Sequence, residues 1–148
     1  MQLNDPVSSI LQRKRGEIWT ISPHASVYEA MAVMSDRNIG ALLVMEDGLL
    51  VGIIAERDYA RKIALKGKSS RETKVREIMR TPITVTPNHT VDQCMALMTR
   101  ERVRHLPVND EGAVIGVISI GDVVNWIISS HEDTIKHLHS YIAGSYPA

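Results

Sequence analysis

The sequence predicts a mixed α/β (α+β) fold, made of two copies of one β-α-β-β-α unit. The first observation is an internal repeat: residues 18–60 align without a gap on residues 82–124 when the chain is shifted by 64 positions. The second is that each aligned segment contains a helical pattern followed by two apolar strand patterns. Because one unit of about 60 residues buries little surface, we expect the copies to be related by pseudo-twofold symmetry and packed through their sheets.

A short strand and an amphipathic helix open each copy. The short strands are IWTIS and ITVT, and a proline follows each of them. Each helix begins with a capping box, formed by Ser26 and Glu29 in the first copy and by Thr90 and Gln93 in the second. Apolar residues then recur at i, i+3, i+4 and i+7, so we expect each helix to bury one face.

Two strands and a second helix complete each copy. The strands are ALLVM with LLVGIIA and HLPVND with AVIGVIS, joined by turns that contain acidic residues and a glycine. The second helix is predicted from Asp58 to about Lys66, and its counterpart from Asp122 to about Ser130. A shorter match, PVSSIL against KVREIM, precedes the copies at an offset of 68, so the RKRGE stretch is predicted to be a loop insertion.

These patterns divide the chain into four segments. We predict a first repeat at 5–66, a second repeat at 74–130, and between them a polar linker, GKSSRET, at 67–73. Residues 131–148 are predicted to be a helical tail that frays at GSYPA. The duplication also predicts two related pockets, each with walls from both copies.

Composition excludes several classes of function. The charges of the 17 basic and 17 acidic residues cancel, so electrostatic binding of nucleic acid or of an anionic membrane over a broad surface is not expected. The apolar runs are shorter than the roughly 20 residues of a membrane span, and no signal-peptide pattern opens the sequence. Cys94 is the single cysteine, which fits a reducing, cytoplasmic location.

The strand-to-helix corners GIIAERD and GVISIGD are the candidate functional motifs. Ser119 and Asp122 form a capping box, an arrangement that needs no ligand. In the first copy Ala55 replaces the serine while Asp58 remains, which indicates a further role for the carboxylate. A carboxylate can accept hydrogen bonds from both hydroxyls of a ribose, and the N–H groups of a helix start attract phosphate. A nucleotide fits this set of groups best.

Neighbouring residues supply the other parts of a nucleotide site. Arg57, Arg104 and His105 are candidate phosphate partners. Lys14 and Arg15 could also approach a phosphate tail, although a solvated loop is the commoner role for such residues. Apolar residues at the strand starts could sandwich a purine; these are Ile18, Trp19 and Ile83.

The sequence resembles a tandem pair of CBS domains, the Bateman module. The resemblance covers about residues 5–130 and rests on GIIAERD and GVISIGD, on the hairpins LLVMEDGLLVG and LPVNDEGAVIG, and on the lead-in KVREIM. It is strongest to the stand-alone CBS-pair proteins of bacteria and plant organelles. Each motif alone is weak, but their ordered duplication is specific.

The resemblance implies a non-catalytic module that binds adenosyl ligands: AMP, ADP, ATP, sometimes NAD(H) or S-adenosylmethionine. It implies one pocket formed by Ile18, Trp19, Ile39, Gly40, Val117, Ser119, Gly121 and Asp122, and a second formed by Ile53, Arg57, Asp58, Ile83, Thr84, Val103, Arg104 and His105. Because Ala55 lacks the usual hydroxyl, we expect Arg57 and Arg104 to compensate and the second pocket to take the more phosphorylated ligand. A homodimer in a flat disc and a separate, unidentified effector protein are also implied.

Other functional classes have weaker support. The stretch HEDTIKHLH lacks a recognised metal-ligand spacing, so no metal site is predicted, and neither a P-loop nor a GxGxxG motif is present. Cys94 is predicted to lie in the core, and Trp126 in an apolar helix stripe. A nucleotide hydrolase or metal-dependent phosphatase is the enzymatic alternative, although no paired carboxylates or nucleophile–base set is evident. A purely structural dimerisation domain is the third possibility.

Overall fold

The computed structural model describes residues 4–14 and 16–142, and in these residues the predicted mixed α+β fold is confirmed. Its helices are α1 Val7–Arg13, α2 Val27–Arg37, α3 Glu56–Tyr59, α4 Val75–Ile78, α5 Val91–Glu101 and α6 Ile120–Ile142. Its strands are β1 Thr20–Ile21, β2 Ala41–Glu46, β3 Leu49–Ala55, β4 His105–Asp110 and β5 Ala113–Ser119. None of the helices in this part of the chain is both long and apolar enough to cross a bilayer.

The predicted repeat is present in the element boundaries. Helix α5 begins and ends 64 residues after α2, and strands β4 and β5 likewise follow β2 and β3 at that interval. Strand β1 pairs in parallel with β2, and β2 pairs antiparallel with β3. In the second copy β4 pairs with β5, and the short first strand is reduced to one parallel bridge, Val85 with Val108, which matches the pair Ile21 and Val44.

Local chemistry explains the helix starts and the hairpins. The Ser26 hydroxyl accepts the Glu29 N–H at 3.1 Å, and the Thr90 hydroxyl accepts the Gln93 N–H at 3.1 Å, so a side-chain N-cap is confirmed in both copies. The return bond that completes a capping box is present in the second copy, where the Thr90 N–H donates to Gln93 Oε1 at 2.9 Å, whereas in the first copy the described residues show the Ser26 cap alone. Each hairpin turns through two residues with positive φ. These are Asp47 with Gly48 and Glu111 with Gly112, and this backbone favours glycine at the second position.

The second helix of each copy differs from the prediction. Helix α3 starts at Glu56, two residues before the predicted start, and continues as a π-helical turn at Ala60–Ala64. Helix α6 also starts two residues early and continues to Ile142, so the predicted tail is an extension of this helix rather than a separate element. The predicted fraying at GSYPA lies outside the described residues.

The chain forms two compact units that exchange their lead-in segments. In the described residues, unit 1 contains 4–14, 87–105 and 118–142, and unit 2 contains 16–86 and 106–117. The lead-in helix of the first copy, α1, therefore belongs with α5 and α6 of the second, while α4 belongs with the first. The repeat boundaries 5–66 and 74–130 stay predictions, because the compact units cut across them.

Equivalent backbone hydrogen bonds hold the two lead-in segments. In unit 1 the Val7 N–H donates to the His89 carbonyl at 2.8 Å, and in unit 2 the Val75 N–H donates to the Ala25 carbonyl at 2.8 Å. Each lead-in thus pairs with the start of the other copy's first helix. The apolar faces of α2 and α4 then join β2 and β3 in the core of unit 2, which contains Val27, Ala30, Met34, Leu42, Val44, Ile54, Ile63, Val75 and Ile78.

Candidate functional site

The same local hydrogen bond fixes the aspartate of each repeated corner. Asp58 and Asp122 are the third residues of α3 and α6. The Ala55 N–H donates to Asp58 Oδ2 at 2.8 Å, and the Ser119 N–H donates to Asp122 Oδ2 at 2.8 Å. In the second copy the Ser119 hydroxyl also accepts the Asp122 N–H at 3.1 Å, which completes the capping box. Capping therefore accounts for one acceptor site of each carboxylate.

Ion pairs occupy the rest of the Asp58 carboxylate. Asp58 is only 2% exposed. The Arg80 Nε lies 2.9 Å from its Oδ1 and 3.2 Å from its Oδ2, and the Lys62 Nζ lies 3.6 Å from Oδ1. Arg80 is held in place because it exchanges two backbone hydrogen bonds with Ile53, at 2.9 and 3.0 Å. Both oxygens of Asp58 are therefore engaged within unit 2.

The Asp122 carboxylate is more open. Its side chain is 19% exposed, and the Lys14 Nζ donates to Oδ2 at 2.7 Å. Its Oδ1 forms no hydrogen bond with any residue that the structure describes. Asp122 also lines a cavity of about 250 Å³ in unit 1, together with Ile10, Arg13, Lys14, Asn125, Trp126 and Ser129. This corner has both an available acceptor and adjacent space.

The cations at the two corners have related origins that the sequence did not predict. Lys14 follows α1, and Arg80 follows α4, so each cation comes from the lead-in segment exchanged between the copies. The offset match of the lead-in segments was the available signal, since both are followed by basic residues. Lys14, which the sequence suggested could approach a phosphate tail, binds the Asp122 carboxylate in this structure, and the phosphate contact stays a prediction. Arg15 lies outside the described residues.

The predicted site residues are divided between the units. Unit 1 contains Val103, Arg104, His105, Ser119, Gly121 and Asp122, and unit 2 contains Ile18, Trp19, Ile39, Gly40, Ile53, Arg57, Asp58, Ile83, Thr84 and Val117. Within the units, the Gly40 carbonyl accepts the Glu56 N–H at 3.2 Å and the Arg104 carbonyl accepts the Ile120 N–H at 2.8 Å. Each thus borders the corner of its own unit, while the pockets that combine residues of both units stay predictions.

The candidate purine contacts are partly exposed. Ile18 is 37% exposed, and Trp19 is half-buried. The Arg37 guanidinium lies over the Trp19 ring, 4.1 Å from its centroid, a cation–π contact that the sequence analysis missed. One face of this indole is therefore already covered.

The single cysteine and the histidine-rich stretch are the remaining candidates for chemistry. Cys94 is buried, as predicted, and burial raises the pKa of its thiol to about 11, so it is a poor nucleophile at neutral pH. Among the described residues, no group of three or more His, Cys, Asp or Glu side chains is arranged to hold a metal. The side chain of His137, in the HEDTIKHLH stretch, lies outside that description.

The sequence and the fold are similar to those of proteins with two CBS domains. The family model described as CBS domain matches residues 7–65 and 75–129. The mitochondrial CBS domain-containing protein CBSX3 of Arabidopsis thaliana is 46% identical over 127 residues, which are 82% of this chain and 62% of that protein. The chain thus spans less than two thirds of this relative.

Solved structures give the same result. The crystal structure of the CBS domain protein NE2398 is 50% identical, with a TM-score of 0.80 over 84% of this chain and 98% of that one. The CBS domain protein PAE2072 of Pyrobaculum aerophilum, crystallised with AMP, shares the fold, with a TM-score of 0.71 over 79% of this chain and 88% of that one at 23% identity. The predicted resemblance is confirmed, and the chain belongs to the CBS-domain family as a tandem pair of these domains.

Proposed function

We propose that this CBS pair is a sensor that binds an adenine nucleotide and transmits its occupancy to a separate protein. The single observation that carries the proposal is the Asp122 corner, where Oδ1 has no hydrogen bond from the described residues beside a cavity of about 250 Å³. A carboxylate in this setting can accept the ribose hydroxyls. The AMP complex of the Pyrobaculum aerophilum protein supports AMP, ADP, ATP or NAD(H) as the ligand class.

The two corners are proposed to differ in affinity. At Asp122 a ribose has an open oxygen to bind, while the other oxygen accepts hydrogen bonds from Lys14 and from the Ser119 N–H. At Asp58 both oxygens are engaged by Arg80, Lys62 and the backbone, so a ribose would have to displace a buried ion pair. We therefore place the stronger nucleotide site at Asp122, and treat the Asp58 pocket, with Arg57, as the weaker one.

The proposed output is a change in state rather than a reaction. A ligand can signal only through different affinities for two states of the module. A ribose that binds Asp122 weakens the ion pair between that carboxylate and Lys14. Because Lys14 caps the end of α1, the attachment of this helix to the corner is weakened as well. We expect no turnover of bound ATP, and chromatography of the nucleotide after prolonged incubation checks this against the enzymatic alternative.

We also propose that the chain associates with a second copy of itself. Ile120, Val124 and Ile128 lie at i, i+4 and i+8 of α6, and they are 45%, 46% and 48% exposed. Such a stripe on one face of a helix is typical of an association surface. A second copy of the chain is the proposed occupant, which gives the predicted homodimer.

The proposed compartment is the cytosol, because the single buried cysteine fits a reducing environment. The Arabidopsis relative is named as mitochondrial. A fluorescent fusion viewed in the source cell distinguishes the two compartments.

Calorimetric titration tests the binding proposal. We expect AMP, ATP or NADH to bind the wild-type chain, and Asp122→Asn to weaken that binding at least tenfold, because an amide replaces the ribose acceptor. The matched control is Asp110→Asn, which removes an exposed carboxylate from the end of β4 and should leave affinity unchanged. Absence of nucleotide binding contradicts the function, and equal binding by wild type and Asp122→Asn contradicts the site.

A further inference from the structure

The cavity beside Asp122 is a groove between α1 and α6, and the lining residues that the structure describes include two cations and one carboxylate. Arg13 and Lys14 line it from the end of α1, and Asp122 is the acidic residue among its lining side chains. The remaining polar lining, Asn125 and Ser129, comes from α6. The described lining residues thus include one more cation than carboxylate, which favours an anionic group.

Arg13 is held in position by contacts other than an ion pair with a described acidic residue. Its Nη2 donates to the Ser129 hydroxyl at 3.0 Å, and its guanidinium lies 5.4 Å from the centroid of the Trp126 ring. The Trp126 ring is itself fixed, because its Nε1 donates to Asp5 Oδ2 at 2.8 Å. No carboxylate of the described residues forms a salt bridge with Arg13. A positioned guanidinium of this kind is suited to bidentate binding of phosphate.

Lys14 is the second cation, and in this structure it forms an ion pair with Asp122, the proposed ribose acceptor. Its Nζ lies 2.7 Å from Asp122 Oδ2. When ribose hydroxyls donate to that carboxylate, they compete with the ammonium group for the same acceptor. The flexible lysine chain can then turn its charge from Asp122 to an anion in the groove.

We propose that this groove is the phosphate subsite of the Asp122 pocket, with Arg13 and Lys14 as its two cations. The inference rests on the proposed function and deepens it, since it assigns the phosphate of that nucleotide to a particular pair of cations. The subsite includes Lys14, which the sequence suggested could approach a phosphate tail, and it is separate from Arg57, Arg104 and His105, the other candidate phosphate partners. It also gives the two cations different roles, because only Lys14 competes with the ribose.

Paired titrations with adenosine and AMP test the subsite. We expect the wild-type chain to prefer AMP, and Arg13→Gln to weaken AMP about tenfold while adenosine binding stays unchanged. Lys14→Gln should weaken AMP and strengthen adenosine, because it removes both a phosphate partner and the competitor for Asp122. Arg100→Gln is the matched control, since it removes an exposed arginine of the same unit that does not line the groove. Ser129→Ala keeps the charge of Arg13, and should weaken AMP less than Arg13→Gln does.

The outcomes separate the subsite from the function. If AMP and adenosine bind equally, or if their affinity ratio is the same in Arg13→Gln, Lys14→Gln and wild type, the subsite is wrong while nucleotide binding stands. If neither ligand binds, the proposed function fails. The groove alone is then tested by titrating inorganic pyrophosphate, with binding detected by Trp126 fluorescence in a Trp19→Phe background. Pyrophosphate binding that Arg13→Gln abolishes supports the subsite, and no pyrophosphate binding overturns it. Thermal unfolding of each variant confirms that it is folded.

Discussion

Asp58 and Asp122 show how one local motif acquires two environments. Both carboxylates accept the N-cap N–H of their own helix, which is a contact over three residues. Their cations come from farther away: Arg80 is 22 residues from Asp58, and Lys14 is 108 residues from Asp122. We call the Asp58 corner closed, because both carboxylate oxygens are engaged, and the Asp122 corner open, because one oxygen is available. At the residue scale, this difference depends on which lead-in cation binds the carboxylate and on how deeply the carboxylate is buried.

Replacing Arg80 tests the closed corner. Arg80→Met removes the main partner of the buried Asp58, and we expect the free energy of unfolding to fall by roughly 2 kcal/mol. This value lies below the range for a fully buried pair, because Arg80 is 24% exposed and Lys62 remains. Urea denaturation measures it.

Two further variants make this measurement specific. Arg100→Met breaks the exposed pair with Glu101 and should cost less than about 0.5 kcal/mol. Adding Asp58→Asn to Arg80→Met should recover part of the loss, because no buried charge is then left without its partner. An Arg80→Met protein as stable as Arg100→Met would contradict the closed corner.

At the element scale, the repeat made most boundaries predictable. Helix caps, hairpin turns and strand patterns depend on residues close in sequence, so Ser26, Thr90 and the turn glycines were sufficient signals. The start of each second helix was predicted two residues late, because the prediction made the aspartate the first helical residue, whereas it is the third. The exchange of α1 and α4, and the cations they bring to the aspartates, could not be predicted because they depend on tertiary pairing. The π-helical turn at Ala60–Ala64 had no signal in the residue pattern.

The contact of β3 with the end of α4 predicts a strict requirement for glycine. A Cβ at Gly52 would lie 2.5 Å from Met79 Sδ and 2.9 Å from its Cγ. We expect Gly52→Ala to lower the free energy of unfolding by about 1 to 3 kcal/mol, the usual cost of overpacking. Chemical denaturation checks this value.

Gly121→Ala is the control for this effect. The added Cβ lies 3.6 Å from Ser119 Oγ, an ordinary contact, and alanine favours a helix by up to about 1 kcal/mol. This variant should therefore be as stable as wild type or more so. Adding Met79→Ala to Gly52→Ala should relieve the overlap. A Gly52→Ala protein with wild-type stability would contradict the requirement for glycine, because it would show that Met79 moves aside at no cost.

At the scale of the whole molecule, the exchanged lead-in segments connect the two copies of the repeat. The segment before each copy contributes the cation that holds the aspartate of the other copy. A ligand that competes for one aspartate therefore changes the hold on a helix that belongs, in sequence, to the other repeat. This connection gives the proposed sensor a physical route from occupancy to a change in state.

The exposed stripe of α6 predicts an effect on assembly. Val124→Glu places a charge in the centre of the apolar stripe, and we expect it to convert a dimer into a monomer at micromolar concentration. Sedimentation equilibrium measures the mass. Leu49→Glu is the control, because Leu49 is 64% exposed at a hairpin and belongs to the other unit. Equal masses for wild type and Val124→Glu would exclude this stripe as the dimer surface.

A crystal structure of the chain with AMP tests the central claim most directly. We predict that both ribose hydroxyls lie within hydrogen-bonding distance of the Asp122 carboxylate, with Lys14 moved from Oδ2 toward the phosphate in the groove beside Arg13. AMP bound away from Asp122, with the 2.7 Å contact between Lys14 and Asp122 unchanged, would contradict the account.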